Sequence, residues 1–318
     1  MTGKAPEVTV FNYVRAETDL QMAGYIAKAG CFGTFVHNRD PYDVNNQVTV
    51  RAQRDTLYSF GAFDLTSPLT ITMPDPGGRY QSFHVISEDH SMPVVGHGPG
   101  VLELTEEFVG TRYVFVIVRT FADPNDDADV AAAHTLQDLI SAEQADTGNF
   151  EVPEWSSEDV SAMRNSIMVV SAAMPDSTKS FGNKDDLDPI YWLLGAAHGW
   201  GGLPVSESLY LNVVPEANDG VTPHTLTVGD VPVDGFWSVT LYDAEGWMPV
   251  NEHDAYAFNN VTAHRDPDGT VTIHFGGRED QANFLPIQPG WNYIVRLYQP
   301  HQEIIDGSWT FPSAVAVD

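Results

Sequence analysis

Three residues suited to acid–base or metal chemistry stand close together in His84-Val-Ile-Ser-Glu-Asp-His90. On an extended strand alternate side chains share a face, so positions 84, 86, 88 and 90 project together. His84, Glu88 and His90 would then offer two imidazoles and a carboxylate, a donor set that suits a divalent metal such as Zn or Fe. Without a metal the same groups could act as general acid and base. Spacing sets a condition. A straight strand separates the two histidines by about 20 Å, so one ion could meet both only if the chain turned or bulged at Ser87–Asp89. A polar pocket without metal, and ordinary strand-end hydrogen bonding, are the competing readings.

A second set could bind anions. Arg54, Arg79 and Arg119 lie on or beside predicted strands, with Asp55 and Tyr58 alongside. A guanidinium fork matches carboxylate, sulfate or phosphate. The alternative is internal pairing with Glu17, Asp19, Asp55 or Asp64, because buried charges need partners. Arg296 shares a strand face with Ile294 and Tyr298 and admits the same two readings. Trp237, Trp247, Trp291 and Trp309 read first as core or edge plugs, and Trp237 also as a wall of an apolar pocket. His198 opens the glycine-rich loop His198-Gly-Trp-Gly-Gly202, where a titratable side chain has access to ligand.

Other motifs are absent or fail. Asp123-Pro-Asn-Asp-Asp-Ala-Asp129 starts like a calcium loop, but Ala128 and His134 stand where glycine and glutamate are needed. It reads as an acidic lead into a helix. There is no G-x-S-x-G, P-loop, H-E-x-x-H, G-x-G-x-x-G or C-x-x-C pattern. A dispersed Ser–His–Asp set stays open, since such a triad is defined in space.

The elements that must position these residues are mostly short strands. Asn12 to about Gly30 has helical spacing, and Arg15 and Asp19 stand four apart on it and could pair. Val48, Val50 and Thr56–Phe63 suggest strands, as do Leu69–Met73, Tyr80–Ile86 and Tyr113–Thr120. Helices are predicted over Ala128–Ala145, Ser157–Ala172 and Pro189–His198. Strands return at Leu209–Val214, Thr225–Val228, Phe236–Tyr242, Thr270–Phe275 and Tyr293–Tyr298. The pattern is a mainly β chain in three blocks: 1–122, a leading helix and a β-sandwich; 123–204, a helical segment; and 205–318, a sandwich or jelly roll.

Composition narrows the partners. The 318 residues carry 44 Asp and Glu against 15 Lys and Arg, a net charge of −29. That field repels nucleic-acid phosphates and anionic membranes. It fits either simple solubility or a saline habitat, where salt screens self-repulsion. The one cysteine, Cys31, excludes an internal disulfide framework and fits a reducing compartment. Residues 1–7 lack the apolar run of a secretory leader, and no stretch approaches a membrane span. The expectation is a cytoplasmic protein binding a small molecule, with sheet edges that admit a homo-oligomer.

Short motifs spread along nearly the whole chain carry a family resemblance. The N-terminal resemblance lies in Val14-Arg-Ala-Glu-Thr-Asp19, Arg54-Asp-Thr-Leu-Tyr-Ser59, Asp64-Leu65, Gly78-Arg-Tyr80, Val109-Gly-Thr-Arg-Tyr-Val114, Val118-Arg-Thr120 and Leu136-Gln-Asp138. The C-terminal resemblance lies in Asp234-Gly-Phe-Trp-Ser238, Pro289-Gly-Trp-Asn-Tyr293, Val295-Arg-Leu-Tyr298 and Ile305-Asp-Gly-Ser-Trp309. In these motifs the chain resembles the bacterial proteins that pair two domains of unknown function, DUF1254 and DUF1214, and the resemblance implies an immunoglobulin-like sandwich, a helical middle and a C-terminal jelly-roll-like sandwich. It implies no reaction and no catalytic residue.

The functional expectation is a small-molecule enzyme, a hydrolase first, acting on a small anionic substrate in a cleft between the domains. His84, Glu88, His90 and His198 would do the chemistry. Arg54, Tyr58, Arg79, Arg119, Trp237 and Arg296 would hold the substrate. A non-catalytic binding or assembly protein is the alternative, and a metal-dependent oxygenase a third reading.

Overall fold

The structure, a computed structural model, describes residues 6–47, 50–174 and 176–317. Val48 and residues 1–5, on which part of the leader reading rests, lie outside them. The described residues are mainly β, with 27% strand and 20% helix, as the alternating patterns require. The elements run α1 (Tyr13–Ala29), β1 (Val36–His37), β2 (Thr56–Asp64), β3 (Leu69–Met73), β4 (Gln81–Ser87), β5 (Val94–His97) and β6 (Gly100–Leu104). Then come α2 (Glu106–Val109), β7 (Tyr113–Phe121), α3 (Asp127–Asp138), β8 (Ser141–Gln144), α4 (Ser157–Ser171) and α5 (Pro189–His198). Strands β9 (Ser208–Val213), β10 (His224–Val228), β11 (Trp237–Tyr242), β12 (Ala257–Asn259), β13 (Val271–Phe275) and β14 (Phe284–Leu285) follow. The chain closes with β15 (Asn292–Tyr298), α6 (Gln302–Ile305) and β16 (Val315–Ala316). Among the described residues no helix is long and apolar enough to cross a membrane.

Two compact units result. Unit 1 draws on the chain up to Arg39, on Leu57–Phe121 and on Ala131–Val205; unit 2 takes Asp40–Thr56, Ala122–Val130 and Ser206 onward. The segment 123–204, read from sequence as one helical block, is thus shared, and its greater part belongs to unit 1.

Unit 1 has a five-stranded sheet ordered β1-β2-β7-β4-β5 and a three-stranded sheet ordered β6-β3-β8. Alternation sorts the large sheet's side chains. Phe83 and Val85 of β4, Val114, Val116 and Val118 of β7, and Phe63 of β2 form one core with Leu69, Ile71 and Met73 of β3. This is the apolar interior of a two-sheet sandwich. The intervening residues turn to the other face, where Ile86, Phe115, Ile117, Phe60 and Ala62 pack with Met22 of α1 and with Trp200 and Phe181. In register on that second face, Ser82 lies opposite Arg119 and His84 opposite Ile117. The sheet therefore has one dry face and one face on which polar side chains are set among apolar ones.

Helix α1 covers part of that second face. Gly30 ends it in the left-handed conformation, with φ 71 and its N–H on the Ile26 carbonyl. Its buried residues include Glu17, Thr18 and Asp19 in direct succession. Each is satisfied by a different element. Arg164 of α4 forks onto Glu17, with Nη2 2.6 Å from Oε2 and Nε 3.0 Å from the same oxygen. Trp200 Nε1 donates to Thr18 Oγ1 at 3.1 Å and Trp155 Nε1 to Asp19 Oδ2 at 2.7 Å. The Arg15–Asp19 pair expected from spacing does not form: Arg15 donates to Asp89 instead, at 2.6 Å.

One helix is shorter than its pattern. The expected Ala128–Ala145 helix stops at Asp138, and Ser141–Gln144 becomes β8, paired with β3 from Leu69↔Gln144 to Thr72↔Ser141. The ladder that β3 offers outweighs local propensity, and Ile140 is drawn into the sandwich core. The acidic lead behaves as a cap: Asp126 Oδ1 accepts from the Ala128 N–H at 2.9 Å.

Unit 2 packs two four-stranded sheets, ordered β12-β11-β15-β9 and β14-β13-β10-β16. Trp237, Val239, Leu241, Trp291, Tyr293, Val295 and Leu297 meet Leu226, Ile273 and Phe275 in its core. Trp291 and Phe275 stack with centroids 4.9 Å apart. All pairs are antiparallel except β13 with β14.

Candidate functional site

The candidate site lies on the second face of the large sheet in unit 1, where β4 ends. The chain leaves β4 through a tight turn. The Ser87 N–H bonds to the Ser91 carbonyl, the His90 N–H to the Ser87 carbonyl, and the two serine hydroxyls to each other at 2.8 Å. His90 takes φ 55, the left-handed region that non-glycine residues rarely occupy. Trp192 Nε1 of α5 donates to the Asp89 carbonyl at 2.9 Å and ties the turn down from outside.

This is the turn that the spacing of His84 and His90 demanded. It brings both imidazoles to Gly201, which lies just past the end of α5. His84 Nε2 is 3.1 Å from the Gly201 carbonyl oxygen. The Gly201 N–H donates to His90 Nε2 at 3.0 Å. Glu88 turns away and accepts from the Tyr113 N–H at 3.0 Å. The metal set read from the sequence is therefore not assembled. Both histidine Nε2 atoms are spent on backbone and the carboxylate on a neighbouring strand. Among the described residues no group of three or more His, Cys, Asp or Glu is arranged to hold a metal ion.

The protonation states follow from the bonds. Arg119 Nη1 lies 3.1 Å from His84 Nδ1, and a guanidinium can only donate. His84 is thus neutral, with its proton on Nε2 and aimed at Gly201. Burial and the Arg119 charge both hold its pKa well below the usual imidazole value. His90 accepts at Nε2, so as a neutral ring it carries its proton on Nδ1. That nitrogen has no hydrogen-bond partner among the described residues, although the residue is wholly buried. Burial holds its pKa down to about 3.

Two carboxyls beside the turn are displaced upward. Burial, followed by the charges of Glu88 and Asp89, raises Asp19 to about 6 against the help of Trp155 and Arg15. One of its oxygens, Oδ1, has no hydrogen-bond partner among the described residues. Burial likewise raises Glu88, against the Tyr113 N–H and Arg15.

Arg119 is the most enclosed cation of unit 1, only 6% exposed. Besides His84 it reaches the Gly201 carbonyl at 3.4 Å and lies 5.3 Å from the Tyr58 ring centroid. Arg79 is further away in role: its Nη1 donates to the Phe121 carbonyl at 2.7 Å. His198 is exposed at the end of α5, with Nδ1 on the Leu194 carbonyl at 3.2 Å.

The remaining sequence candidates belong to unit 2. Arg54 lies 5.1 Å from the Tyr256 ring centroid and 3.7 Å from Asp254. Arg296, fully buried, donates to Thr240 Oγ1 at 2.9 Å, Tyr242 Oη at 2.7 Å and the Arg51 carbonyl at 2.8 Å. It is a tie between β15 and the Arg51–Ala52 segment. Asp55, whose pKa burial raises, accepts from Asn259 Nδ2 at 3.0 Å. Trp237 sits in the sandwich core against Phe311.

Sequence reasoning missed Asp19, Thr18, Trp200 and Gly201 as members of the site. Helical periodicity could not single them out: three successive residues fan over more than half of the helix circumference, and Glu17, Thr18 and Asp19 are all buried because different elements cover them.

Family models match two stretches of the chain, each described as a protein of unknown function: DUF1254 over residues 32–100 and DUF1214 over residues 214–302. A crystal structure of a Vibrio parahaemolyticus protein, a structural genomics target, is similar at TM-score 0.71 and 18% identity, covering 96% of this chain and 98% of that one. A crystal structure of an uncharacterised protein from Burkholderia cenocepacia is similar at TM-score 0.53 and 14% identity, covering 98% and 91%. At those identities the likeness speaks for the fold alone. No curated protein matches.

The shifted groups make opposite pH trends. Below about 6.5 the unfolded chain protonates His90 while the folded one does not, down to about 3. Stability therefore rises with pH across that window and is lost as pH drops through it, by up to about 1.4 kcal/mol per unit. Asp19 is the reverse: the folded chain holds its proton up to about 6, the unfolded one only to 3.8. Its contribution is lost as pH rises between those values, by about 3 kcal/mol in all. Urea titrations across pH should show His90→Asn, which tolerates positive φ, flattening the acid limb. They should show Asp19→Asn gaining about 1–3 kcal/mol at pH 8 and little at pH 4. A profile unchanged in both variants would refute these assignments.

Proposed function

Since the chain belongs to the family that pairs the DUF1254 and DUF1214 domains, we propose its function from the geometry of unit 1: it binds a small anionic molecule there, through Arg119. The observation that carries this reading is a guanidinium only 6% exposed whose neighbours include a neutral imidazole, a backbone carbonyl and a phenol ring. A cation so placed offers strong, directional binding to a carboxylate or similar anion, because little water competes for it. The residues first read as catalytic support binding more than turnover: His84 has both ring nitrogens engaged, and Glu88 and His90 hold backbone. The two-sheet packing of each unit supports an immunoglobulin-like label for unit 1 and, with eight strands in two sheets, a jelly-roll-like label for unit 2. The net charge of −29 supports a partner that is neither nucleic acid nor anionic membrane; the single cysteine supports a reducing, cytoplasmic compartment and the sheet edges a homo-oligomer.

Thermal denaturation at fixed ionic strength tests the reading. Acetate, sulfate and phosphate, each balanced against chloride, should include at least one anion that raises Tm of the wild type. The shift should vanish in Arg119→Lys, which keeps the charge but loses the planar fork. No shift with any anion, or an equal shift in the variant, overturns it.

A hydrolytic enzyme is the second reading, and Asp19 favours it. A buried carboxyl with an unbonded oxygen and a pKa near 6 is poised to exchange protons at neutral pH. On this reading a screen of small esters and amides finds turnover that Asp19→Asn reduces at least about a hundredfold in kcat, with KM little changed. Turnover equal in wild type and variant removes Asp19 from the chemistry.

A further inference from the structure

The surroundings of Arg119 define the body of the ligand as well as its charge. The guanidinium lies over Tyr58, and the phenols of Tyr58 and Tyr25 are within electrostatic reach of each other and of Arg119. Tyr25 projects from α1 into a group of rings: its centroid is 5.0 Å from that of Phe60 and 4.9 Å from that of Phe115. It runs nearly parallel to Trp200, at 6.4 Å and 28°. Trp200 in turn precedes Gly201, whose carbonyl takes a hydrogen bond from Arg119.

This aromatic group is not sealed. Tyr25 is 38% exposed, whereas Arg119 at the inner end is 6% exposed. Tyr25, the exposed member of this ring group, thus stands within electrostatic reach of an enclosed cation. Apolar area so exposed next to a fixed charge suits a molecule with a flat apolar body and an anionic head. The planar guanidinium matches a carboxylate better than a sphere of charge. The number of charges is limited too. A chain with a net charge of −29 opposes each further negative charge on a ligand, so a monoanion is favoured over a polyanion.

On the anion-binding reading of this site, we infer that its ligand is an aryl monocarboxylate, with the carboxylate on Arg119 and the ring against Tyr25 and Trp200. Tyr25 is then a specificity residue, acting on the body of the ligand and not on its charge.

Isothermal titration of the full chain with benzoate, acetate and phosphate separates the two levels of argument. Benzoate should bind about tenfold tighter than acetate, the gain that one aromatic contact with its buried area provides. Phosphate should bind more weakly than benzoate. In Tyr25→Leu, a change at a partly exposed position, the benzoate-to-acetate ratio should fall towards one while acetate binding persists. Arg119→Lys should weaken both carboxylates. Equal affinity for benzoate and acetate in the wild type, or phosphate binding as tightly as benzoate, overturns the aryl assignment and leaves the anion site standing. Failure of all three anions to bind removes both.

Discussion

The second face of the unit 1 sheet depends on how the backbone of Gly201 is held. Its N–H is donated to His90 and its carbonyl receives His84 and Arg119. Both imidazoles must be neutral for this to work, since a protonated His90 could not accept and a protonated His84 would face Arg119 with a second donor. Burial keeps them neutral, and Trp200 supplies part of that burial by stacking on His90 at 6.0 Å while donating to Thr18 of α1. Glycine is required at the centre. Residue 201 has φ 76, and a Cβ there would come within 3.3 Å of Ile117 Cδ1 and 3.6 Å of Ile86 Cδ1. Helix, turn and loop are thus mutually conditional: each supplies the burial or the hydrogen bond that another needs.

Charge is handled in the same way throughout unit 1. In so acidic a chain the few cations are placed where they matter for folding. Arg164 forks onto buried Glu17, Arg112 forks onto buried Asp64, and Arg15 bridges α1 to the turn at Glu88 and Asp89. Breaking such pairs leaves an uncompensated buried charge, which is why they tie elements firmly even where their net contribution is small. Arg119 is more deeply enclosed than these, and its neighbours include the neutral His84 ring and the Gly201 carbonyl.

What could be seen in the sequence follows from the range of the forces involved. Strand alternation is local, so the sorting of Phe83 and Val85 to one face and His84 to the other was legible, as were the helices from Tyr13, Ser157 and Pro189. The need for a turn between His84 and His90 followed from strand geometry, and the turn is there. Its consequence was not legible, because the acceptor and donor that claim the two histidines belong to Gly201, more than a hundred positions away. The end of α3 was misjudged for a related reason: β8 exists only because β3 offers it a ladder. Asp19 was assigned to Arg15 by helical spacing, yet Trp155 and Asp89 compete for those two residues from elsewhere in the chain. The models matching residues 32–100 and 214–302 carry no reaction, so they could not supply what spacing lacked.

The two faces of one sheet now give an argument about purpose. The sandwich face, built from Phe83, Val85, Val114, Val116 and Val118, shows that this sheet can make a fully apolar core. The opposite face has the same strands and comparable burial, but carries His84 and Arg119, and among the described residues His90 Nδ1 in the turn beyond it and Asp19 Oδ1 on α1 have no hydrogen-bond partner. Each of these lowers stability relative to an apolar residue of like volume. Local departures from the rules that the rest of a fold obeys cluster where something other than stability is served. His90, held at positive φ with an unspent donor, and Asp19, its pKa raised to about 6 and one acceptor unspent, are such departures. On the binding reading proposed above, they mark this face, and not the better-packed interiors of either unit, as the place for a ligand.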